Sequence, residues 1–234
     1  MDQQQRVWFL DEARGRSVLL MVLHHGAYDA VFLLGWPLPF LFSGWFGVIR
    51  AFFAGVFVLI SGCACRLSRN NLRRGARCLL LAAGLSLVTA LLIPSQRIRF
   101  GVLHLLGVCM LVYPAFKKLP PAMLTVLGLV IAITGYAIRG VVVPQHWLFP
   151  LGLTYEGFTS SDYFPLFPQL GYFLIGAAIG KTAYREKRTL LPGAFQQTPV
   201  ARFFCWCGRQ SLFIYLLHQP IVYGLLELVL LLRG

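Results

Sequence analysis

Long apolar runs separated by short polar clusters set the pattern of this chain. Seven segments, at about residues 17–36, 47–65, 77–93, 100–116, 121–139, 164–181 and 210–232, approach the ~20 apolar residues that a helix needs to cross ~30 Å of hydrocarbon. The connections between them are too short to fold as domains. The pattern therefore predicts one unit over residues 1–234, an all-α polytopic membrane helix bundle of about seven transmembrane helices. No repeat of fixed period and no low-complexity tract interrupts it.

Basic residues in the connections orient such a bundle. With the N-terminus in the cytoplasm, that side holds 16 Lys and Arg: Arg6, Arg14, Arg16, Arg66, Arg69, Arg73, Arg74, Arg77, Lys117, Lys118, Lys181, Arg185, Lys187, Arg188, Arg202 and Arg209. The other side holds 4: Arg97, Arg99, Arg139 and Arg233. The asymmetry predicts a cytoplasmic N-terminus and an external C-terminus, with Arg50 inside a span. Asp2, Asp11 and Glu12 precede the first apolar run with no small-residue cleavage site, so no removable signal peptide is expected.

Composition narrows the class. Hydrophobic residues make up 58% and charged residues 12%, against about 45–50% and ~25% in soluble domains. A disordered chain, a disulfide scaffold and a cytosolic enzyme are excluded as fitting readings. The net charge of +13 is dispersed in short clusters beside apolar runs, which matches membrane topology rather than a nucleic-acid-binding stripe. The six cysteines lie in or beside apolar runs, where a thiol behaves as a small hydrophobe, so no disulfide is expected. Cys63 and Cys65, like Cys205 and Cys207, are two apart and point about 200° apart on a helix, which works against chelation. No metal is expected.

Ionisable groups at membrane depth are the candidate chemistry, because each is unfavourable unless paired or wetted. His25 and Asp29 are four apart on one helix face, the spacing of an imidazole oriented by a carboxylate as a general base. A structural polar pair is the plain alternative, and His24 leaves open which imidazole is used. His218, followed by Gln219, lies about 12 Å from the cytoplasmic edge of its span, as His25 does in its own, so a shared cavity near the midplane is one expectation. A simple bond between Tyr215 and His218 is another. His104, Asp162 and Tyr163, with His146 and Glu156, are candidates for an outer polar mouth that takes a hydroxylated or amino substrate, or for a solvated loop. Arg69, Arg73 and Arg74 are candidates to grip the phosphates of a cosubstrate, beside their topological role. Gly176-Ala177-Ala178-Ile179-Gly180 offers a small-residue face for packing inside the bundle or for a homodimer.

Six stretches in order carry a family likeness. Leu10-Asp11-Glu12-Ala13-Arg14-Gly15 with Met21-Val22-Leu23-His24-His25 and Tyr28-Asp29 is the first. Leu59-Ile60-Ser61-Gly62 ahead of Ser68-Arg69-Asn70-Asn71-Leu72-Arg73-Arg74-Gly75 comes next. Phe100-Gly101-Val102-Leu103-His104, Asp162-Tyr163-Phe164-Pro165-Leu166-Phe167-Pro168, Gly208-Arg209-Gln210-Ser211-Leu212 and Tyr215-Leu216-Leu217-His218-Gln219-Pro220 complete the series. Together they resemble the heparan-alpha-glucosaminide N-acetyltransferase catalytic-domain family, especially its small bacterial members. The spacing of Arg14 and His25 is also similar to the Arg and His that open the broader membrane acyltransferase superfamily. The resemblance implies roles for Arg14 and His25 at an acyl-transfer site.

The resulting expectation is an integral membrane acyltransferase of the bacterial cytoplasmic membrane. It would move an acetyl or short acyl group from cytoplasmic acetyl-CoA or another acyl-CoA to an amine or hydroxyl of a glycan or small molecule outside. The lipid bilayer, acyl-CoA and the acceptor are its expected partners, with no nucleic acid. Two other classes stay open: a proton-coupled transporter that uses His25 and Asp29 as proton carriers, and an assembly protein whose polar pairs only hold helices.

Overall fold

A computed structural model describes residues 8–184 and 198–233; Arg6, Arg185, Lys187 and Arg188 lie outside the described residues. Eight α-helices are found among them: α1 (Trp8–Leu34), α2 (Gly44–Leu67), α3 (Asn71–Leu92), α4 (Val102–Phe116), α5 (Pro121–Ala137), α6 (Leu166–Ala183), α7 (Pro199–Arg209) and α8 (Ser211–Arg233). Each of the seven predicted segments falls on one of these. Helices α1, α2, α3 and α8 are long and apolar enough to cross a membrane. Helices α4 and α5 are apolar but only 15 and 17 residues long.

Local chemistry places the helix starts. The Asn70 side chain accepts the Arg73 N–H at 2.9 Å and begins α3. Thr198 does the same for Ala201 at 3.2 Å, with Pro199 occupying the first helical position of α7. Helix α7 has no counterpart among the predicted segments. It is amphipathic rather than apolar: Ala201, Cys205, Cys207 and Gly208 are buried while Arg202 and Arg209 are exposed. A search for continuous apolar runs passes over such a helix.

The chain divides into two compact units, residues 1–57 with 186–234, and residues 58–185. In the first, α1 packs against α7 and α8. The α1 and α7 backbones touch where two glycines meet. A Cβ on Gly15 would lie 1.9 Å from the Phe204 carbonyl oxygen, and one on Gly208 would lie 1.8 Å from that of Asp11. The neighbouring Arg16 guanidinium sits over the Phe204 ring at 5.0 Å and pairs with Glu12 at 2.5 Å.

In the second unit the C-terminal part of α2 lies against α6, α3 packs with α4, and α5 packs with α6. Again the close approaches are backbone to backbone: a Cβ on Gly62 would lie 2.0 Å from the Phe173 carbonyl, and one on Gly176 would lie 1.9 Å from that of Leu59. Phe173, Leu174 and Ala177 of α6 are fully buried beside them. The small-residue face of α6 is therefore occupied by α2 of the same chain.

The two kinds of glycine should respond oppositely to a methyl group. Gly176→Ala forces α2 and α6 apart and is expected to lower stability by about 1–3 kcal/mol. Gly84→Ala on α3 meets nothing within 4 Å and is expected to leave the melting temperature unchanged or raise it. Thermal unfolding of both variants in detergent checks the contrast.

Candidate active site

Helices α1 and α8 bring two of the sequence-predicted residues into direct contact. His25 Nδ1 and His218 Nε2 are 2.7 Å apart, with ring centroids at 5.0 Å and planes 21° from parallel. The other nitrogen of His218, Nδ1, is 2.7 Å from the Tyr215 carbonyl oxygen. A carbonyl only accepts, so His218 Nδ1 carries the proton and its Nε2 presents a lone pair. His25 Nδ1 must then be the donor to it. His25 Nε2 is left with the lone pair, on a half-buried ring.

Asp29 does not orient His25. The nitrogen expected to bond the carboxylate is taken by His218, and Asp29 Oδ2 instead accepts from the Gln219 side-chain amide at 2.8 Å. Two cross-links thus join α1 to α8, imidazole to imidazole and carboxylate to amide. His24 turns the other way, with its ring against Phe46 at 5.7 Å and Tyr28 at 6.4 Å and its Nδ1 buried without a hydrogen-bond partner. Arg50 of α2 lies within electrostatic reach of both His24 and His25. Arg14 is eleven residues before His25, about 16 Å along α1 but within about 20° of the same face. Contact between their side chains is out of range.

The three candidates for an outer mouth are engaged in holding the chain. Asp162 Oδ2 accepts the Val102 N–H at 2.9 Å, and His104 Nδ1 accepts the Gly101 N–H at 3.2 Å. Both satisfy amides at the start of α4, which lack carbonyl partners within the helix. His104 also stacks on Phe100 at 5.4 Å, with its Nε2 3.5 Å from Ser86 Oγ. The Tyr163 hydroxyl donates to the Phe149 carbonyl at 2.7 Å. Burial pushes its phenol up to about 12, so it stays a donor at any physiological pH. Beside them Arg99 donates to the Thr159 carbonyl and the Tyr155 hydroxyl and lies over the Tyr155 and Phe158 rings.

A cavity of about 630 Å³ opens within residues 58–185, lined by Arg66, Arg69, Lys117, Lys118 and Lys181 together with Asn70, Asn71 and Tyr113. Among the described residues no carboxylate lines it. Of the predicted phosphate ligands it contains Arg69, whereas Arg73 and Arg74 stand exposed on the first turn of α3. The Lys181 ammonium donates to the Lys117 and Leu119 carbonyls at 2.9 and 2.5 Å, closing the turn after α4. The Asn71 amide donates to the Cys65 carbonyl at 2.9 Å, which points Oδ1 elsewhere, buried and unpartnered. A cavity lined by these cations fits a polyanion. In the sequence Lys117, Lys118 and Lys181 speak only to the orientation of the chain. Convergence of the ends of α2, α4 and α6 carries no signal in local composition.

Residues 6–220 match the family model described as heparan-alpha-glucosaminide N-acetyltransferase, catalytic, and the chain belongs to that family. Comparison with curated proteins and with solved structures gives no match. Family and apolar helices together make this a membrane protein of acetyltransferase type.

The capping geometry makes Asp162 a stability residue. Asp162→Leu is expected to lower stability by about 1–2 kcal/mol, and Asp162→Asn, which keeps an acceptor oxygen, by much less. Thermal unfolding of the two purified variants tests this ranking; equal melting temperatures would detach Asp162 from the start of α4.

Proposed function

We propose that this family member transfers an acetyl or other short acyl group from cytoplasmic acyl-CoA to an amine or hydroxyl of a glycan or small molecule on the outer face of the bacterial cytoplasmic membrane. The supporting observation is the chain Tyr215 carbonyl, His218, His25, which leaves His25 Nε2 as an oriented base at membrane depth. That nitrogen takes the proton of the acceptor O–H or N–H as the acceptor heteroatom bonds to the acyl carbon. The thioester C–S bond breaks and the thiolate leaves, recovering the proton from His25 as free CoA thiol. Direct transfer of this kind needs no acyl-enzyme.

The cationic cavity with Arg69 is the proposed seat of the CoA phosphates. Arg73 and Arg74, exposed nearby on α3, add to the positive field there; Arg14 is a cation of the N-terminal half of α1. The proposed topology has seven crossings, with the N-terminus cytoplasmic and the C-terminus outside.

Acceptor-dependent release of CoA thiol tests the reading. His25→Ala is expected to abolish release while leaving acyl-CoA affinity within a few fold, since the base acts on the chemical step. Arg69→Gln with Lys118→Gln is expected to weaken acyl-CoA binding by about 1–3 kcal/mol for each charge-assisted phosphate hydrogen bond removed. A folded His25→Ala protein with full thiol release would remove His25 from the reaction. A proton carrier would lose pH-driven flux and never consume thioester.

Topology is checked separately. A reporter active only in the cytoplasm should work when fused near residue 74 or 188, and one active only outside should work within 140–160 or after residue 234. A cytoplasmic C-terminus would overturn seven crossings.

A further inference from the structure

We propose that His218 is the second carrier of the transferred proton, so that the two imidazoles work as a relay in which His218, a positioning residue at rest, takes the charge during the reaction. The inference rests on the reading of His25 as the base. It begins from the one bond that both rings share, 2.7 Å between His25 Nδ1 and His218 Nε2. At rest that bond holds a proton on His25 and a lone pair on His218, because the Tyr215 carbonyl fixes the His218 proton on Nδ1.

The proton count closes without any outside group. When His25 Nε2 takes the acceptor proton, the proton on His25 Nδ1 moves across the existing bond to His218 Nε2. His25 is then neutral, with its proton on Nε2. His218 is an imidazolium that donates through Nδ1 to Tyr215 and through Nε2 to His25. No ring has to turn, and no hydrogen bond is left unmade. Delivery of the Nε2 proton to the departing thiolate reverses the shift and restores the resting pair.

The surrounding charges favour the far ring. Arg50 of α2 acts on His25, where it repels a protonated imidazole, and His24 is the other titratable neighbour besides His218. Asp29 of α1 interacts electrostatically with His218 and attracts its imidazolium. Tyr223 and Glu227, one and two turns further along α8, meet each other and lie on the Asp29 side. His218 is also only 8% exposed, so a proton placed there leaves by the way it came. A neutral Gln219 holding Asp29 at 2.8 Å keeps that carboxylate nearby without neutralising it.

Two measurements on the intact protein decide the matter. Nitrogen NMR of histidine-labelled protein in detergent micelles, titrated toward acid, is expected to show the first proton of the pair making His218 doubly protonated while His25 switches from its Nδ1–H to its Nε2–H form. A doubly protonated His25 beside a neutral His218 would overturn the relay, whether or not the protein transfers acyl groups. The second measurement uses His218→Gln, whose amide oxygen accepts from His25 Nδ1 and keeps its tautomer but takes no proton. Single-turnover thiol release is expected to fall about 100-fold with acyl-CoA affinity unchanged. Its dependence on the deuterium fraction of the solvent is expected to change from the curve of two protons in flight to the line of one. Wild-type rate and curvature in this variant would overturn the relay and leave His25 as a lone base. Absence of thiol release from the unmodified protein would instead overturn acyl transfer, with the relay still decided by the titration.

Discussion

Helices in lipid gain nothing by squeezing water from between them, so their association depends on how closely their backbones approach. Here the closest approaches are made at Gly15 with Gly208 and at Gly62 and Gly176, where even a methyl group would overlap a carbonyl oxygen. The first of these seats α7 on α1, and α7 is joined to α8 through the single residue Gln210.

A second constraint acts on the side chains so placed. A polar atom far from bulk water needs a partner, and the partner available is the one on the neighbouring helix. This is why His25 bonds to His218 and Asp29 to Gln219, each from α1 across to α8, although His25 and Asp29 stand one turn apart on the same helix. The same demand takes Asp162 and His104 for the amides at the start of α4, and the Lys181 ammonium for two carbonyls after its end. Charge left over from such duties gathers in the cavity around Arg66, Arg69, Lys117 and Lys118.

What the residue order discloses follows from these two constraints. Apolar run length reads directly as helix, so the seven segments can be placed from the chain alone. Depth also reads directly, since 1.5 Å per residue carries His25 and His218 to comparable heights. Which way a side chain turns does not, because helical spacing names neighbours on one helix and is silent about the next. Pairing of His25 with Asp29 follows from spacing of that kind and yields to the residues of α8. Helix α7 escapes because its apolar run, Phe203 to Cys207, is only five residues long and is bounded by Arg202 and Arg209, far short of a span. Lys117 and Lys181 read as topology signals because nothing local to either announces that they border one cavity.

The imidazole pair closes over 193 residues of chain, with the whole of residues 58–185 coming between its two halves in the sequence. During synthesis α1 enters the membrane with His25 and Asp29 unprovided for, and their partners are not yet made. They remain so until the ribosome has delivered α8. A nascent chain therefore carries an unpaired imidazole and carboxylate through most of its assembly, a natural mark by which membrane quality control could tell an unfinished molecule from a finished one.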